Sequence, residues 1–190
     1  MTKILIFSGS IRAESVNLKL ATQLASIAGQ EGAEVTLANL ADYDFPIYNG
    51  DLESAEGLPE AAKRFKTLLQ ENAGFIVACP EYNGFMTPLL INAIDWCTRS
   101  EDGSADMSGF VDKTVLIASA SPGSGGGGRG ATHLRTMLSG IGSIVYPKSL
   151  AVPSAYGAFT DQREFADESL AKRSRRLVSK FIQFTQRLES

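Results

Sequence analysis

Residues 8–17 read Ser-Gly-Ser-Ile-Arg-Ala-Glu-Ser-Val-Asn, which sets three serine hydroxyls, a guanidinium and an amide between an apolar run and the start of a helical pattern. These groups suit an anion cradle. The free N–H groups and positive end of a helix favour a phosphate, Gly9 lets the chain turn closely, and Ser10, Arg12, Ser15 and Asn17 can surround it. A plainer reading stands beside this one, in which Ser15 or Asn17 is an ordinary helix cap and Arg12 a solvated charge. A second stretch, Pro80-Glu81-Tyr82-Asn83-Gly84, follows the apolar run 74–79 and leads into a segment ending Asn92-Ala-Ile-Asp-Trp96. A buried strand that breaks at proline and turns through Asn-Gly into a helix presents backbone groups at the carboxyl edge of a sheet, where open α/β folds bind ligands.

The third unusual stretch, 119–130, reads Ser-Ala-Ser-Pro-Gly-Ser-Gly-Gly-Gly-Gly-Arg-Gly. Gly123, Gly125 and Gly128 match G-x-G-x-x-G, and Gly123 with Gly128 matches the first half of a P-loop, but neither motif has its context. A P-loop needs Lys and then Ser or Thr after its last glycine, where this chain has Arg129 and Gly130. The dinucleotide fingerprint belongs in the first strand-to-helix turn with an acidic residue about 20 positions later, whereas this is the fourth turn and Lys148 stands there. The glycines either bring backbone close to a bulky group or make the loop mobile.

The elements that must position these stretches follow from hydrophobic period. Short apolar runs at 3–8, 34–40, 74–79, 113–120 and 143–146, the last extending toward Val152, alternate with helical patterns at 17–29, 59–72, 88–98, 130–140 and 161–188. Each helix carries one apolar stripe, such as Leu20, Leu24 and Ile27 in the first. The alternation predicts a single α/β domain over 1–190, a doubly wound five-stranded parallel sheet with helices on both faces. The common strand order for five strands, 2-1-3-4-5, puts the ligand crevice between the first and third strands. The loops after Ser8, Cys79 and Ala120 are then expected to meet at one edge.

Composition narrows the function. The net charge of −3 is mild and argues against nucleic acid or an anionic membrane as the main partner, since both normally require clustered positive charge. Cys79 and Cys97 lack metal-ligand spacing and read as reduced and buried, which points to the cytoplasm. His133 is the only histidine and reads as a structural or surface residue, so no metal site is expected. No stretch of about 18 apolar residues or signal-peptide pattern occurs. The basic run Lys172-Arg173-Ser-Arg175-Arg176 reads as the solvated face of the last helix. The 42–57 insertion either covers a substrate face or caps the sheet, and the nearly all-round apolar segment 88–98 suggests burial on both sides, one of them against a second subunit.

The pairing of Gly9-Ser10-x-Arg12-x-x-Ser15-x-Asn17 with Pro80-Glu81-Tyr82-Asn83-Gly84 and Asn92-Ala-Ile-Asp-Trp96 resembles the NAD(P)H-dependent FMN reductase family, which has a flavodoxin-like fold. The glycine-rich loop followed by His133-Leu134-Arg135 is similar to that family's third segment, so the resemblance spans most of the chain. It implies FMN as cofactor and NADPH or NADH as hydride donor, with Ser10, Arg12, Ser15 and Asn17 on the FMN phosphate. Pro80, Glu81, Tyr82, Asn83 and Gly84 would line the isoalloxazine ring, and Ser121 and Gly123 would meet its far edge. It further implies ping-pong transfer to a small-molecule acceptor (free flavin, quinone, azo compound or metal oxyanion) in a homodimer or homotetramer. No catalytic side chain is expected, because the cofactor carries the hydride step and the protein supplies orientation and backbone donors. The chain departs from the family pattern at Ile91, where lysine is common, and at Pro88, four residues after Gly84 instead of three; both bear on the third helix and its oligomer contacts. The competing functions are a flavodoxin-type electron carrier, disfavoured by Arg12 and the mild net charge, and a flavin-free binding protein that shares only the fold.

Overall fold

The computed structural model describes residues 1–189. In chain order, β1 (Lys3–Ser8) is followed by α1 (Val16–Gln30), β2 (Glu34–Ala38), a short helix α2 (Gly50–Glu56), α3 (Glu60–Glu71) and β3 (Gly74–Ala78). A two-stranded hairpin, β4 (Glu81–Tyr82) with β5 (Phe85–Met86), precedes α4 (Pro88–Cys97). The remainder is β6 (Thr114–Ala120), α5 (Gly128–Gly140), β7 (Ile144–Val145), β8 (Leu150–Val152) and α6 (Glu168–Glu189). The main sheet is parallel in the order β2-β1-β3-β6-β7, with β8 also on β6. Leaving out the hairpin, this is the expected 2-1-3-4-5 winding.

Period-2 alternation sends each strand's side chains into two layers. Ile4, Ile6, Ile76 and Leu116 pack with Leu20, Leu24, Val178 and Phe181 under α1 and α6. Leu5, Phe7, Val77 and Ile117 pack with Phe65, Leu90, Ile94 and Leu134 under α3, α4 and α5. The central strands are buried on both faces, so they read as continuous apolar runs.

The structure corrects the expected elements in three places. The fifth strand is split: β7 pairs Thr114 and Val115, and β8 pairs Ala118 to Ala120. Residues 116 and 117 of β6 thus face residues 146–149 between β7 and β8, and the surplus residues, among them Pro147 without an N–H, loop out of the ladder. The last helix begins at Glu168 and not at 161, because Asp167 Oδ1 accepts the Leu170 N–H at 2.7 Å and sets the cap there. The segment after Gly84 is a hairpin strand before it is a helix, with Tyr82 paired to Phe85.

The 42–57 insertion, with its helix α2, packs on α4. Asn92 Nδ2 and Trp96 Nε1, one helical turn apart, both donate to the Pro46 carbonyl at 2.8 and 2.7 Å. Asn92 Oδ1 accepts the Tyr48 N–H at 2.8 Å, and the Tyr48 ring meets the Trp96 ring edge-on at 4.9 Å. Glu53 on α2 closes the lock, accepting from Tyr48 Oη at 3.0 Å and Arg99 Nε at 2.7 Å. The chain's own insertion therefore covers the Trp96 side of α4, and Trp96 is fully buried without a second subunit. Asn92→Ala removes two of these bonds and leaves the Tyr48 N–H unmatched, so it is expected to lower stability by about 1 to 3 kcal/mol. Trp96 is the only tryptophan, so its fluorescence during urea unfolding reads the loss directly.

Candidate functional site

The carboxyl ends of β1, β3 and β6 lie side by side, with Ser8 beside Ala78 and Ala78 beside Ala118. Hydrogen bonds tie these strand ends and the loops that follow them together. Gly9 N–H donates to the Ala78 carbonyl at 3.0 Å, Cys79 N–H to the Ala118 carbonyl at 2.7 Å, and Thr87 Oγ1 to the Gly9 carbonyl at 2.7 Å. A Cβ at Gly9 would stand 2.9 Å from Pro80 Cδ and 3.0 Å from Leu90 Cβ, so only glycine lets the first loop approach the second this closely. Thr87 also caps α4 by accepting the Leu90 N–H, and so ties that helix to the first loop. Its role was not visible in the sequence, where only a Thr-Pro step before an apolar run marks the cap.

In the first loop, Ser10 and Ser15 are buried and Arg12 is exposed. Ser10 Oγ accepts the Arg12 N–H at 3.4 Å, and Ser15 Oγ caps α1 by accepting the Leu18 N–H at 3.3 Å. No hydrogen-bond acceptor among the described residues meets the Val16 and Asn17 N–H groups at the positive end of α1. Glu14 pairs with Lys19 at 2.9 Å, whereas Arg12 has no acidic partner among the described residues. Asn17 faces β6: its Nδ2 donates to the Ala120 carbonyl at 2.8 Å and its Oδ1 accepts the Ala120 N–H at 2.9 Å. This pair clamps the first loop to the third across 103 residues of sequence.

In the second loop, Pro80, which precedes the β4–β5 hairpin, is buried, with its ring toward Gly9 of the first loop. Asn83 (φ 54°) and Gly84 (φ 82°) both take left-handed conformations, as a two-residue turn of type I′ needs. Tyr82 and Phe85 are half exposed, and the Phe85 ring lies 4.4 Å from that of His133 on α5. The Glu81 side chain reaches α5. Its Oε2 accepts the Arg129 and Gly130 N–H groups, both at 3.0 Å, and its Oε1 accepts from the Arg129 guanidinium at 3.0 and 3.2 Å. The Gly130 N–H and then the Arg129 contacts hold the Glu81 carboxyl below its ordinary range, against the opposing effect of burial.

In the third loop, Ser121 Oγ accepts the Gly123 N–H at 3.3 Å, and Ser121 N–H donates to the Val152 carbonyl at 3.1 Å. Glu81, Ser121, Gly123, Arg129 and Thr132 line part of a cavity of about 600 Å³ between the hairpin and the glycine-rich turn. The strand ends thus set the first loop, with Ser10, Arg12 and Ser15, beside the second, while Ser121 and Gly123 line the cavity next to the hairpin; the Asn17 and Glu81 side chains join the loops to one another.

The chemistry available is binding and orientation. Burial pushes the Cys79 thiol up to about 12, which leaves no thiolate to act as a nucleophile. Among the described residues no group of three His, Cys, Asp or Glu side chains is placed to hold a metal ion.

Known proteins agree with this architecture. Residues 2–157 match the family of NADPH-dependent FMN reductases. An NAD(P)H-dependent FMN reductase of Pseudomonas aeruginosa is 33% identical over 97% of this chain and 93% of its own length. A quinone reductase of Escherichia coli K12 is 32% identical over 77% of this chain and 74% of its own. Among solved structures, a flavoenzyme NAD(P)H:(acceptor) oxidoreductase from Paracoccus denitrificans superimposes with a TM-score of 0.83 at 25% identity, covering 98% of both chains. The strand order, the three stitched loops and these likenesses agree, and the chain belongs to the NADPH-dependent FMN reductase family of oxidoreductases.

Proposed function

We propose that this chain holds FMN across the crevice and uses it to pass hydride from NADPH or NADH to a small oxidised acceptor such as free flavin, a quinone, an azo compound or a metal oxyanion. The observation that carries the reading is the first loop: buried Ser10 and Ser15, two N–H groups of α1 without acceptors among the described residues, and Arg12 without an acidic partner among them form a donor set suited to a phosphate monoester dianion. The residues beyond it fit the rest of the molecule. Gly123, Gly125 and Gly128 have no atom crowding the place of a Cβ closely, so the third loop leaves room for a flat ring beside the hairpin. When bound, FMN would supply the hydride chemistry, and the residues of the three loops would hold and orient it.

The chain's own residues bind, orient and exclude. Ser10, Arg12 and Ser15 hold the phosphate, and the Asn17 amide keeps the end of β6 at a fixed distance from that anchor. Pro80, Tyr82, Asn83 and Gly84 present an edge for the ring through backbone and shape, and N–H groups of the turn would stabilise the negative charge of the reduced flavin. Glu81 contributes by holding α5 against the hairpin. No side chain in the crevice is assigned a proton-transfer role.

The test is anaerobic stopped-flow with the FMN-loaded protein. Mixing with NADPH and, separately, NADH is expected to bleach the flavin band, and a panel of quinone, azo dye, chromate and free FMN is expected to restore it without donor present. A flavin band that neither nicotinamide bleaches would point to an electron carrier served by a protein partner and would overturn the reading.

A further inference from the structure

Helix α6 sorts the basic run of residues 172–176 onto two faces. On one, Lys172 pairs with Glu168 at 2.8 Å and Arg175 with Glu31 at 2.9 Å. On the other, Arg173, Arg176 and Lys180 fall at helical spacings of three and four, on a single stripe. This second stripe borders the edge of β8 that no strand pairs among the described residues, β6 lying on its other edge. With Lys148 and Ser149 from the looped-out segment, it encloses a cavity of about 490 Å³ floored by Leu150, Ala151 and Leu177. Arg173 donates to the Ala151 carbonyl at 3.3 Å and fixes one wall. Lys148, Arg176 and Lys180 have no acidic partner among the described residues, and no acidic residue lines the cavity.

We infer that this groove is a binding site for a soluble nucleotide, an aromatic body carrying phosphate, separate from the crevice at the strand ends. Gathering four cations around one concavity in a chain of net charge −3 raises their mutual repulsion, and a polyanionic ligand relieves it. Leu150 and Leu177 are 2% and 8% exposed, so the floor is apolar and firm, and guanidinium planes stack readily on an aromatic base. The cavity volume lies within the range of small-molecule sites. A membrane headgroup shares the phosphate but not the need for a concave apolar floor, which is why the free nucleotide is favoured.

Calorimetric titration of ADP into the FMN-loaded protein is expected to show a site that weakens steeply with salt. The neutralised variant Arg176→Gln/Lys180→Gln is expected to bind ADP at least about tenfold more weakly. Lys148→Gln, on a different segment, is expected to weaken it independently, with flavin reduction by NADH unchanged in both. These exposed positions leave the core untouched, and the Trp96 fluorescence confirms folding. Equal ADP affinity in wild type and both variants places the nucleotide elsewhere and overturns the inference. Inorganic phosphate binding as tightly as ADP overturns it as well, since the floor would then contribute nothing. Retention on phosphatidylglycerol-containing vesicles with no heat from millimolar ADP assigns the charges to a membrane and overturns it too.

Discussion

Arg12→Ala is expected to lower FMN affinity by about 1 to 3 kcal/mol, roughly 5- to 150-fold in Kd, the scale of one lost charge-assisted bond. Arg12 is the one cation of the first loop without an acidic partner among the described residues, since Glu14 is engaged by Lys19 and approached by Arg163. Its removal leaves Ser10, Ser15 and the helix N–H groups in place, so binding should weaken without loss of fold. Arg12→Lys should recover part of the affinity, because the charge returns without the planar fork. The measurement is equilibrium dialysis or flavin fluorescence quenching at two ionic strengths, with the salt dependence smaller in the alanine variant. Undiminished FMN retention in Arg12→Ala would remove the phosphate from this loop.

The doubly wound order was legible because buried parallel strands are apolar without a break and their helices carry one stripe each, signals that depend only on near neighbours. The split of the fifth strand was not: Ile144 to Val152 contains enough β-branched and apolar residues for one strand, and only pairing against β6 shows that the ladder breaks after Tyr146 and resumes at Leu150. The hairpin had a local signal in Asn83-Gly84 between Tyr82 and Phe85, but strands of two residues show no alternation to reinforce it. The all-round apolar pattern of α4 implies burial on both sides, but on the Trp96 face the cover is Pro46, a carbonyl 50 residues away that no pattern in the helix could name. The same limit applies to Asn17 and Glu81. Their residue types suit a ligand or a backbone clamp equally well, and the choice rests on partners 103 and 48 positions distant.

Glu81→Ala should be the most damaging single change at the crevice, costing about 2 to 3 kcal/mol of stability and loosening FMN about tenfold. The carboxylate joins the hairpin to α5 by two backbone bonds at 3.0 Å and caps that helix, so its loss leaves the Arg129 and Gly130 N–H groups without their acceptor. The ion pair itself contributes less: the Arg129 side chain is 79% exposed against 12% for Glu81, and an exposed charge is screened. Arg129→Ala should therefore cost under about 1 kcal/mol. The pH dependence has a definite sign. Because the folded-state pKa of Glu81 is lowered, its contribution is fully present above the ordinary value of 4.5 and is lost as pH falls through the folded pKa. Glu81→Gln keeps the shape and one acceptor oxygen but carries no proton equilibrium, so its stability should exceed that of Glu81→Ala and vary less than wild type on the acid limb. Urea midpoints taken between pH 3 and 7 for the three proteins separate a charged clasp from simple packing: parallel pH profiles for wild type and Glu81→Gln would show that the carboxylate's charge has no part in holding the two loops together.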